Sequence, residues 1–155
     1  MKGQKKMNIL KINNNYGISS GKLEHIFLGT EKNNSISGFH CIRDYNDTKA
    51  VAKTRLYPNS KRKITYNKKM KLFEAEVYSK NNPSIRKEKK SSFFNENFER
   101  QDIVDLIARL KSSKHIVKEF SAKRSKHTIA QIKLDPKTGL VVVDNKATTY
   151  PLIKY

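Results

Sequence analysis

Four histidines, His25, His40, His115 and His127, are the side chains best suited to acid–base chemistry, and they lie in a chain with thirty-three Lys and Arg residues. Imidazole titrates close to neutral pH. Two histidines and a lysine suffice for RNA cleavage by transesterification: one ring removes the 2′-hydroxyl proton, the other protonates the departing 5′-oxygen, and the ammonium stabilises the negatively charged phosphorane. Any basic protein with two histidines meets this requirement, so composition permits the chemistry without identifying it.

The net charge is the most informative global property. Fourteen acidic residues leave a formal charge of +19, and the segment from Lys49 to Lys90 holds fourteen basic residues against three acidic ones. Folding gains nothing from such self-repulsion, so the excess indicates a polyanionic partner. Nucleic acid is favoured, with an anionic membrane or an acidic protein as the alternatives. No stretch resembles a strongly basic amphipathic helix, which argues against the membrane.

Length and apolar content predict one domain with a modest core, since the chain has 155 residues. No run approaches the roughly 20 apolar residues that cross a bilayer. The first apolar run stops at Leu10, so we expect no signal peptide within this chain. Cys41 is the only cysteine, which excludes an intramolecular disulfide and a cysteine metal cluster. We interpret Cys41 as a small core residue.

Short elements must position the histidines. Residues 1–20 are predicted to be a polar N-terminal arm, and residues 21–155 the folded domain. Helices are predicted over Gly21–Phe27 and around Ile103, Leu106, Ile107 and Leu110. Strands or extended segments are predicted over Gly38–Arg43, Ala50–Tyr57, Lys71–Tyr78, Ile85–Phe94, Ile116–Phe120, His127–Leu134, Leu140–Val143 and Thr148–Ile153, with a hairpin turn at Asp135–Gly139. This layout predicts an α+β fold: a small single domain, mostly antiparallel sheet with few helices, the sheet built largely from the second half.

Four local motifs occur in a specific order. His25-Ile26-Phe27-Leu28-Gly29-Thr30 precedes Ser37-Gly38-Phe39-His40, with fourteen residues between the two histidines; Lys89-Lys90-Ser91-Ser92-Phe93-Phe94 precedes the apolar helix; and Thr149-Tyr150-Pro151-Leu152 lies near the end. Together they resemble EndoU-type endoribonucleases from Leu23 to Tyr155, and the histidine spacing matches the coronavirus uridylate-specific member. Ser37 and Asn95 depart from the family, which has glycine and proline there.

The resemblance implies a role for each matching residue. His40 would be the general base on the 2′-hydroxyl and His25 the general acid on the leaving oxygen. Lys89 is our choice among the lysines at 87–90 for stabilising the phosphorane; Lys87 and Lys90 are the alternatives for that role and are otherwise expected to contact substrate.

Further residues are expected to bind the nucleotide. Ser92 would contact the uracil edge, and Tyr150 would stack on the ribose or base. Gly38 would let the backbone approach the phosphate, and Thr149 would contact substrate beside Tyr150. His115 and His127 match nothing in the pattern, and we interpret His127 as a surface residue or at most a phosphate contact.

The resemblance also implies an EndoU/BECR-like nuclease fold and a metal-independent endoribonuclease that needs no cofactor. It would cleave single-stranded RNA, with tRNA as one candidate, at uridine to leave a 2′,3′-cyclic phosphate. Lysine-rich domains with a polar front end resemble the C-terminal toxin domains of bacterial contact-dependent and polymorphic toxins. We therefore expect a monomer that is exported within a larger toxin, acts in the target-cell cytoplasm and meets an acidic immunity protein. A stand-alone cytoplasmic nuclease is the alternative.

Two other functions fit part of the sequence. A non-catalytic basic RNA-binding domain explains the charge and the tyrosines, but not the spacing of the two motif histidines. An RNase A-like ribonuclease of different fold would use the same chemistry with other residues.

Overall fold

The structure is a computed structural model that describes residues 10–43, 45–57, 71–117 and 127–153. Within these ranges it contains two α-helices, α1 (Ser20–Phe27) and α2 (Arg100–Arg109), and two single-turn 3₁₀ helices (Ser113–His115 and Ile129–Gln131). Eight short strands complete it: β1 (Thr30–Lys32), β2 (Ser35–Ser37), β3 (Ala50–Leu56), β4 (Phe73–Ser79), β5 (Ser91–Phe93), β6 (Ile132–Leu134), β7 (Val141–Asp144) and β8 (Thr149–Pro151).

All of the described strand pairs are antiparallel, which confirms the predicted α+β class. They form three small sheets: β1–β2, β3–β4–β5 and β6–β7–β8. The prediction of one sheet drawn largely from the second half of the chain is wrong. The strands form three separate sheets, and the two larger sheets each bury an apolar face of their own. Strand β5 nevertheless lies against β8, so segments distant in sequence meet there.

Both predicted helices are confirmed. The Ser19 hydroxyl accepts from the Lys22 N–H at 3.2 Å and caps α1. At the start of α2 the Asp102 carboxylate accepts from the Glu99 N–H at 2.7 Å. The apolar face of each helix is buried in one common cluster, which contains Leu23, Ile26 and Phe27 from α1 and Ile103, Val104, Leu106 and Ile107 from α2.

Part of the predicted N-terminal arm belongs to this same cluster. Leu10, Ile12 and Ile18 are buried against the helices. The Asn13 N–H also donates to the Gln101 side chain at 2.7 Å. Residues 10–19 therefore pack onto the body of the domain, because their few apolar side chains find places in its core.

The predicted strand over Gly38–Arg43 is absent, and the backbone there is irregular. Gly38 and Phe39 both have positive φ angles, which a strand cannot accommodate. The backbone amides of this segment pair with a helix instead. Phe39 N–H donates to His25 O at 2.9 Å, and His40 N–H donates to Ile26 O at 2.8 Å. The last carbonyls of a helix lack partners within it, and this segment supplies them.

The strand predictions over Ala50–Tyr57, Lys71–Tyr78, His127–Leu134, Leu140–Val143 and Thr148–Ile153 are confirmed with shifted ends, whereas Ile116 forms only an isolated bridge with Lys133. The Asp135–Gly139 turn joins β6 to β7, with Gly139 N–H donating to Asp135 O at 2.8 Å. His127–Leu134 contains a 3₁₀ turn before β6, and Ile85–Phe94 contains only the short β5. Residues 58–70 between β3 and β4, and residues 118–120 of the segment Ile116–Phe120, lie outside the described residues. In the described ranges no helix is both long and apolar enough to cross a membrane.

Candidate active site

A cleft of about 870 Å³ opens where α1, the loop before His40, the segment leading into β5 and strand β8 come together. Seven of its eighteen lining residues are basic or aromatic, and Glu74 and Glu88 are the acidic members. The basic and aromatic side chains are His25, His40, Lys87, Lys89, Lys90, His127 and Tyr150. The cleft thus gathers every residue to which the sequence assigned acid–base or stacking chemistry.

His25 lies in the last turn of α1 and projects into this cleft. Its Nδ1 is 3.0 Å from the Thr30 hydroxyl oxygen at the start of β1. Partial burial and then the positive charge of Lys87 lower the pKa of His25. Its ring centroid is 6.5 Å from that of His40. Two titratable rings from separate parts of the chain therefore lie close together in one cleft.

His40 is almost fully buried, with 5 % of its surface exposed. Its Nδ1 is 2.7 Å from the Ser92 carbonyl oxygen and 3.0 Å from the Ser91 hydroxyl. A carbonyl only accepts, so Nδ1 carries the proton and Nε2 is the basic nitrogen. Burial, followed by the charge of Lys87, lowers the pKa of His40 to about 3. The ring is consequently neutral at physiological pH, with Nε2 unprotonated.

Lys87 contacts both the loop that carries His40 and strand β5. Its Nζ donates to the Gly38 carbonyl oxygen at 3.3 Å and to the Ser91 hydroxyl at 3.2 Å. Its charge lowers the pKa of His25 and of His40 alike. Lys89, the lysine chosen from sequence, lines the cleft together with Lys90, but both side chains are exposed.

Tyr150 on β8 forms the opposite wall. Its ring stacks on that of His40 with a centroid distance of 5.0 Å and an interplanar angle of 24°. Its hydroxyl lies 3.2 Å from His127 Nε2, and the two rings meet edge to face. Burial raises the pKa of the Tyr150 hydroxyl. His127, interpreted from sequence as a surface residue, is half-buried in the cleft.

The close approach of His25 requires a glycine at position 38. A Cβ at this position would lie 2.2 Å from the His25 carbonyl oxygen and 3.0 Å from two carbons of its ring, and φ is +76°. Glycine is the residue that adopts this conformation without strain. The Gly-aromatic-His motif therefore brings the backbone of the second histidine against the first.

Ser92 and Thr149 were both expected to contact substrate, but only Ser92 lines the cleft. The Ser92 side chain is half-buried in the cleft as expected. Thr149 is fully buried, does not line the cleft and donates its hydroxyl to Asp144 at 2.5 Å, because alternate strand residues face opposite sides. The cleft-lining threonine is Thr148, whose buried hydroxyl oxygen has no hydrogen-bond partner among the described residues.

Sequence reasoning missed two supporting residues. Ser91 is buried, donates to the Phe39 carbonyl oxygen at 3.0 Å and contacts both His40 and Lys87. Asp144 accepts from Lys22 and from Lys133, each at 2.8 Å, and from Thr149. Lys22 lies on the helix of His25 and Thr149 on the strand of Tyr150, so Asp144 ties these two elements together. The Ser-Ser pair was visible in the sequence, whereas nothing there indicated Asp144.

Metal ligands do not cluster in the described part of the chain. No group of three or more His, Cys, Asp or Glu side chains is close enough there to hold an ion. Cys41, buried in the helical core, has a pKa raised by burial to about 11 and does not line the cleft.

One of three comparisons with known proteins gave a match. Neither the curated proteins nor the solved structures gave a significant match. The sequence profile described as bacterial EndoU nuclease, by contrast, matches residues 19–153, nearly the whole chain. This match argues against the alternative of an RNase A-like fold. The cleft holds His25, His40 and Tyr150 from the motifs that suggested the resemblance. The chain therefore belongs to the bacterial EndoU nuclease family, and it is a nuclease.

Proposed function

We propose that this nuclease is an endoribonuclease that cleaves single-stranded RNA by attack of a 2′-hydroxyl on the adjoining phosphate. One observation carries the proposal: two histidine rings with centroids 6.5 Å apart share one cleft and one lysine. A nucleophile, a leaving oxygen and a charged phosphorane need a base, an acid and a cation, and this arrangement supplies all three.

His40 is the general base in this proposal. Its Nε2 takes the proton of the 2′-hydroxyl as the new bond from O2′ to phosphorus forms. A pKa of about 3 keeps the ring unprotonated at physiological pH. The hydrogen bonds from Nδ1 to Ser92 O and to the Ser91 hydroxyl keep Nε2 as the basic nitrogen throughout.

His25 is the general acid and Lys87 the cation. His25 delivers a proton to O5′ as the bond from phosphorus to O5′ breaks, and solvent afterwards restores both histidines. An anionic phosphate between the rings offsets the charge of Lys87, which raises the pKa of His25 and favours its acid form. We assign phosphorane stabilisation to Lys87 rather than to Lys89, since the charge of Lys87 already acts on both rings.

Tyr150 and Ser92 bind the nucleotide that carries the 2′-hydroxyl. A ring stacked on His40 sits beside the base catalyst and offers a face to ribose or base. The Ser92 hydroxyl is positioned in the same cleft to meet a base edge. Following the family resemblance, we propose uridine as the preferred base and a 2′,3′-cyclic phosphate as the product end.

The decisive experiment compares an RNA oligomer containing one uridine with the same oligomer carrying 2′-deoxyuridine there. Wild type, His25→Ala, His40→Ala and His115→Ala are assayed in EDTA, and the product ends are identified by mass. His115 is the matched control because it does not line the cleft. We expect cyclic phosphate ends from wild type and His115→Ala alone, and no cleavage of the deoxy oligomer.

Two results would contradict the proposal. Cleavage of the deoxyuridine oligomer would show that the 2′-hydroxyl is not the nucleophile. Cleavage by wild type that disappears in EDTA and returns with added metal would show that the histidines and Lys87 are insufficient by themselves.

The biological setting extends the same proposal. We propose tRNA as a natural substrate, delivery within a larger toxin, and an acidic inhibitor protein that covers the cleft. The charge of +19 and the three lysines lining the cleft support an acidic inhibitor, because opposite charge speeds association. Such an inhibitor should block cleavage in equimolar amount, with an association rate that falls as salt rises.

A further inference from the structure

His127 is the one titratable ring of the cleft to which the proposed reaction gives no role. Its Nε2 is 3.2 Å from the Tyr150 hydroxyl oxygen, and the ring centroids are 5.8 Å apart. It is half-buried and lines the same cleft as His25 and His40. Because its neighbour Tyr150 stacks on the catalytic base, its placement bears on how substrate enters.

The rings of His25, His40, Tyr150 and His127 form a series of neighbouring pairs. Centroid distances are 6.5 Å from His25 to His40, 5.0 Å from His40 to Tyr150 and 5.8 Å from Tyr150 to His127. With the scissile phosphate between His25 and His40, His127 is reached through His40 and Tyr150. That is the side of the nucleotide carrying the 2′-hydroxyl, since His40 acts on that hydroxyl and His25 on the leaving 5′-oxygen.

We infer that His127 forms a subsite for the phosphate on the 5′ side of the nucleotide whose 2′-hydroxyl attacks. The inference rests on the proposed function, because it takes its direction along the RNA from the roles of His40 and His25. The ligand is a phosphodiester or phosphomonoester oxygen of RNA, and the donor is an imidazole N–H.

The hydrogen bond to Tyr150 suits His127 for this role. When the Tyr150 hydroxyl donates to Nε2, the ring carries its proton on Nδ1, which is then a donor; a protonated ring donates from both nitrogens. Charge-assisted bonds of this kind to phosphate are among the stronger hydrogen bonds in proteins. The same bond fixes the Tyr150 ring, so occupation of the subsite would also hold Tyr150 against the bound nucleotide.

A hydroxyl group in this wall of the cleft lacks a hydrogen-bond partner among the described residues. Thr148 immediately precedes the strand of Tyr150 and lines the cleft, yet its buried hydroxyl has no hydrogen-bond partner among the described residues. Buried hydroxyls in native proteins are nearly always satisfied. A bound RNA, through a phosphate or ribose oxygen or an ordered water, would supply the missing partner.

The test compares the dinucleotides UpA and pUpA, which differ only in a 5′-phosphate. For wild type we expect the phosphate to raise kcat/KM by about tenfold or more. In His127→Gln, whose amide can still bond the Tyr150 hydroxyl, this ratio should fall close to one. His115→Gln, the matched control outside the cleft, should keep the wild-type ratio.

Each other outcome overturns the inference in its own way. A ratio near one in wild type would mean that no such subsite exists. An equal loss on both dinucleotides in His127→Gln would mean that His127 only holds Tyr150. Failure of wild type to cleave either dinucleotide or a longer uridine-containing RNA would instead overturn the proposed function, so the two failures are distinguishable.

Discussion

The Nδ1 of His40 lies 2.7 Å from the carbonyl oxygen of Ser92, a residue 52 positions along the chain. This bond fixes the tautomer of a buried ring that belongs to an irregular loop. The loop is itself held on both sides, because His40 N–H donates to Ile26 O at 2.8 Å and His40 O accepts from Phe94 N–H at 2.9 Å. His40, the proposed catalytic base, is therefore positioned by backbone groups from a helix and from a strand.

The low pKa of His40 predicts how folding stability depends on pH. Its folded pKa of about 3 lies below the ordinary imidazole value of 6.5, because burial and then the charge of Lys87 disfavour the cation. Between those values the unfolded chain binds a proton that the folded chain does not. Stability is therefore complete above pH 6.5 and falls as the pH drops toward 3. His25, whose pKa is also lowered by burial, acts in the same direction.

Urea unfolding at about pH 7.5 and about pH 5 measures this effect. We expect the free energy of unfolding to fall by about 2 kcal/mol for His40 alone over this interval. His40→Gln should remove most of that difference, whereas His115→Gln should keep it. An unchanged pH dependence in His40→Gln would mean that His40 titrates normally in the folded protein.

Gly38→Ala should damage both stability and activity. The new Cβ would lie 2.2 Å from the His25 carbonyl oxygen, and φ of +76° is unfavourable for alanine. We expect a loss of about 1–3 kcal/mol from the backbone conformation alone, with a further loss from the displaced contact. Gly21→Ala is the control. Residue 21 lies in α1, and nothing lies within 4 Å of a Cβ placed there. Alanine at this position is expected to be neutral or stabilising by up to about 1 kcal/mol. Equal thermal midpoints for the two variants would contradict this account.

Lys87 and Lys89 should differ sharply in activity. Lys87→Gln is expected to lower kcat by about 10²- to 10³-fold, as loss of a donor to a developing oxyanion does. Lys89→Gln should mainly weaken RNA binding and reduce its salt slope by about one. Titration of the His40 ring by NMR adds a check, since Lys87→Gln should raise its pKa. A larger loss of kcat in Lys89→Gln would return the role to Lys89.

Asp144 should matter for both folding and catalysis. Burial opposes its ionisation, yet hydrogen bonds from Lys133, Lys22 and Thr149 outweigh this and lower its pKa. Asp144→Ala leaves two largely buried lysines unpaired, and we expect it to cost about 3 kcal/mol or more in urea unfolding. Residual folded protein should cleave more slowly, because α1 and β8 lose their link.

The matched control for Asp144 is Glu96. Its ion pair with Arg55 is well exposed at both ends, so Glu96→Ala should cost at most about 1 kcal/mol and leave cleavage unchanged. Comparable destabilisation by both substitutions would mean that the buried network around Asp144 adds nothing beyond a surface pair.

Periodic patterns in the sequence predicted the regular elements well. Ile103, Leu106 and Ile107 recur at helical spacing and are buried in α2 as expected, and the Asp135–Gly139 turn joins a hairpin. The loop from Gly38 to Arg43 was misread as a strand because its amides bond to a helix end, a long-range pairing that local alternation does not encode.

The cleft is lined by most of the residues predicted from the sequence, but some positions are shifted by one. Shifting by one position along an extended chain moves a side chain to the other face. Thr148 lines the cleft where Thr149 was expected, and Ser91 contacts His40 beside the predicted Ser92. Lys87 bonds to Ser91, whereas the bend at residues 88 and 89 leaves Lys89 exposed. In a run of lysines and serines, only the fold distinguishes these positions.

The stacking of Tyr150 on His40 has a consequence for the timing of activity during synthesis. His40 is made early, but the strand that carries Tyr150 is among the last parts of the described chain to leave the ribosome. Strand β8 must pair with β7 before its tyrosine can reach the histidine. A chain that ends before this strand would therefore lack the tyrosine wall, and the cleft would be complete only once β8 has folded.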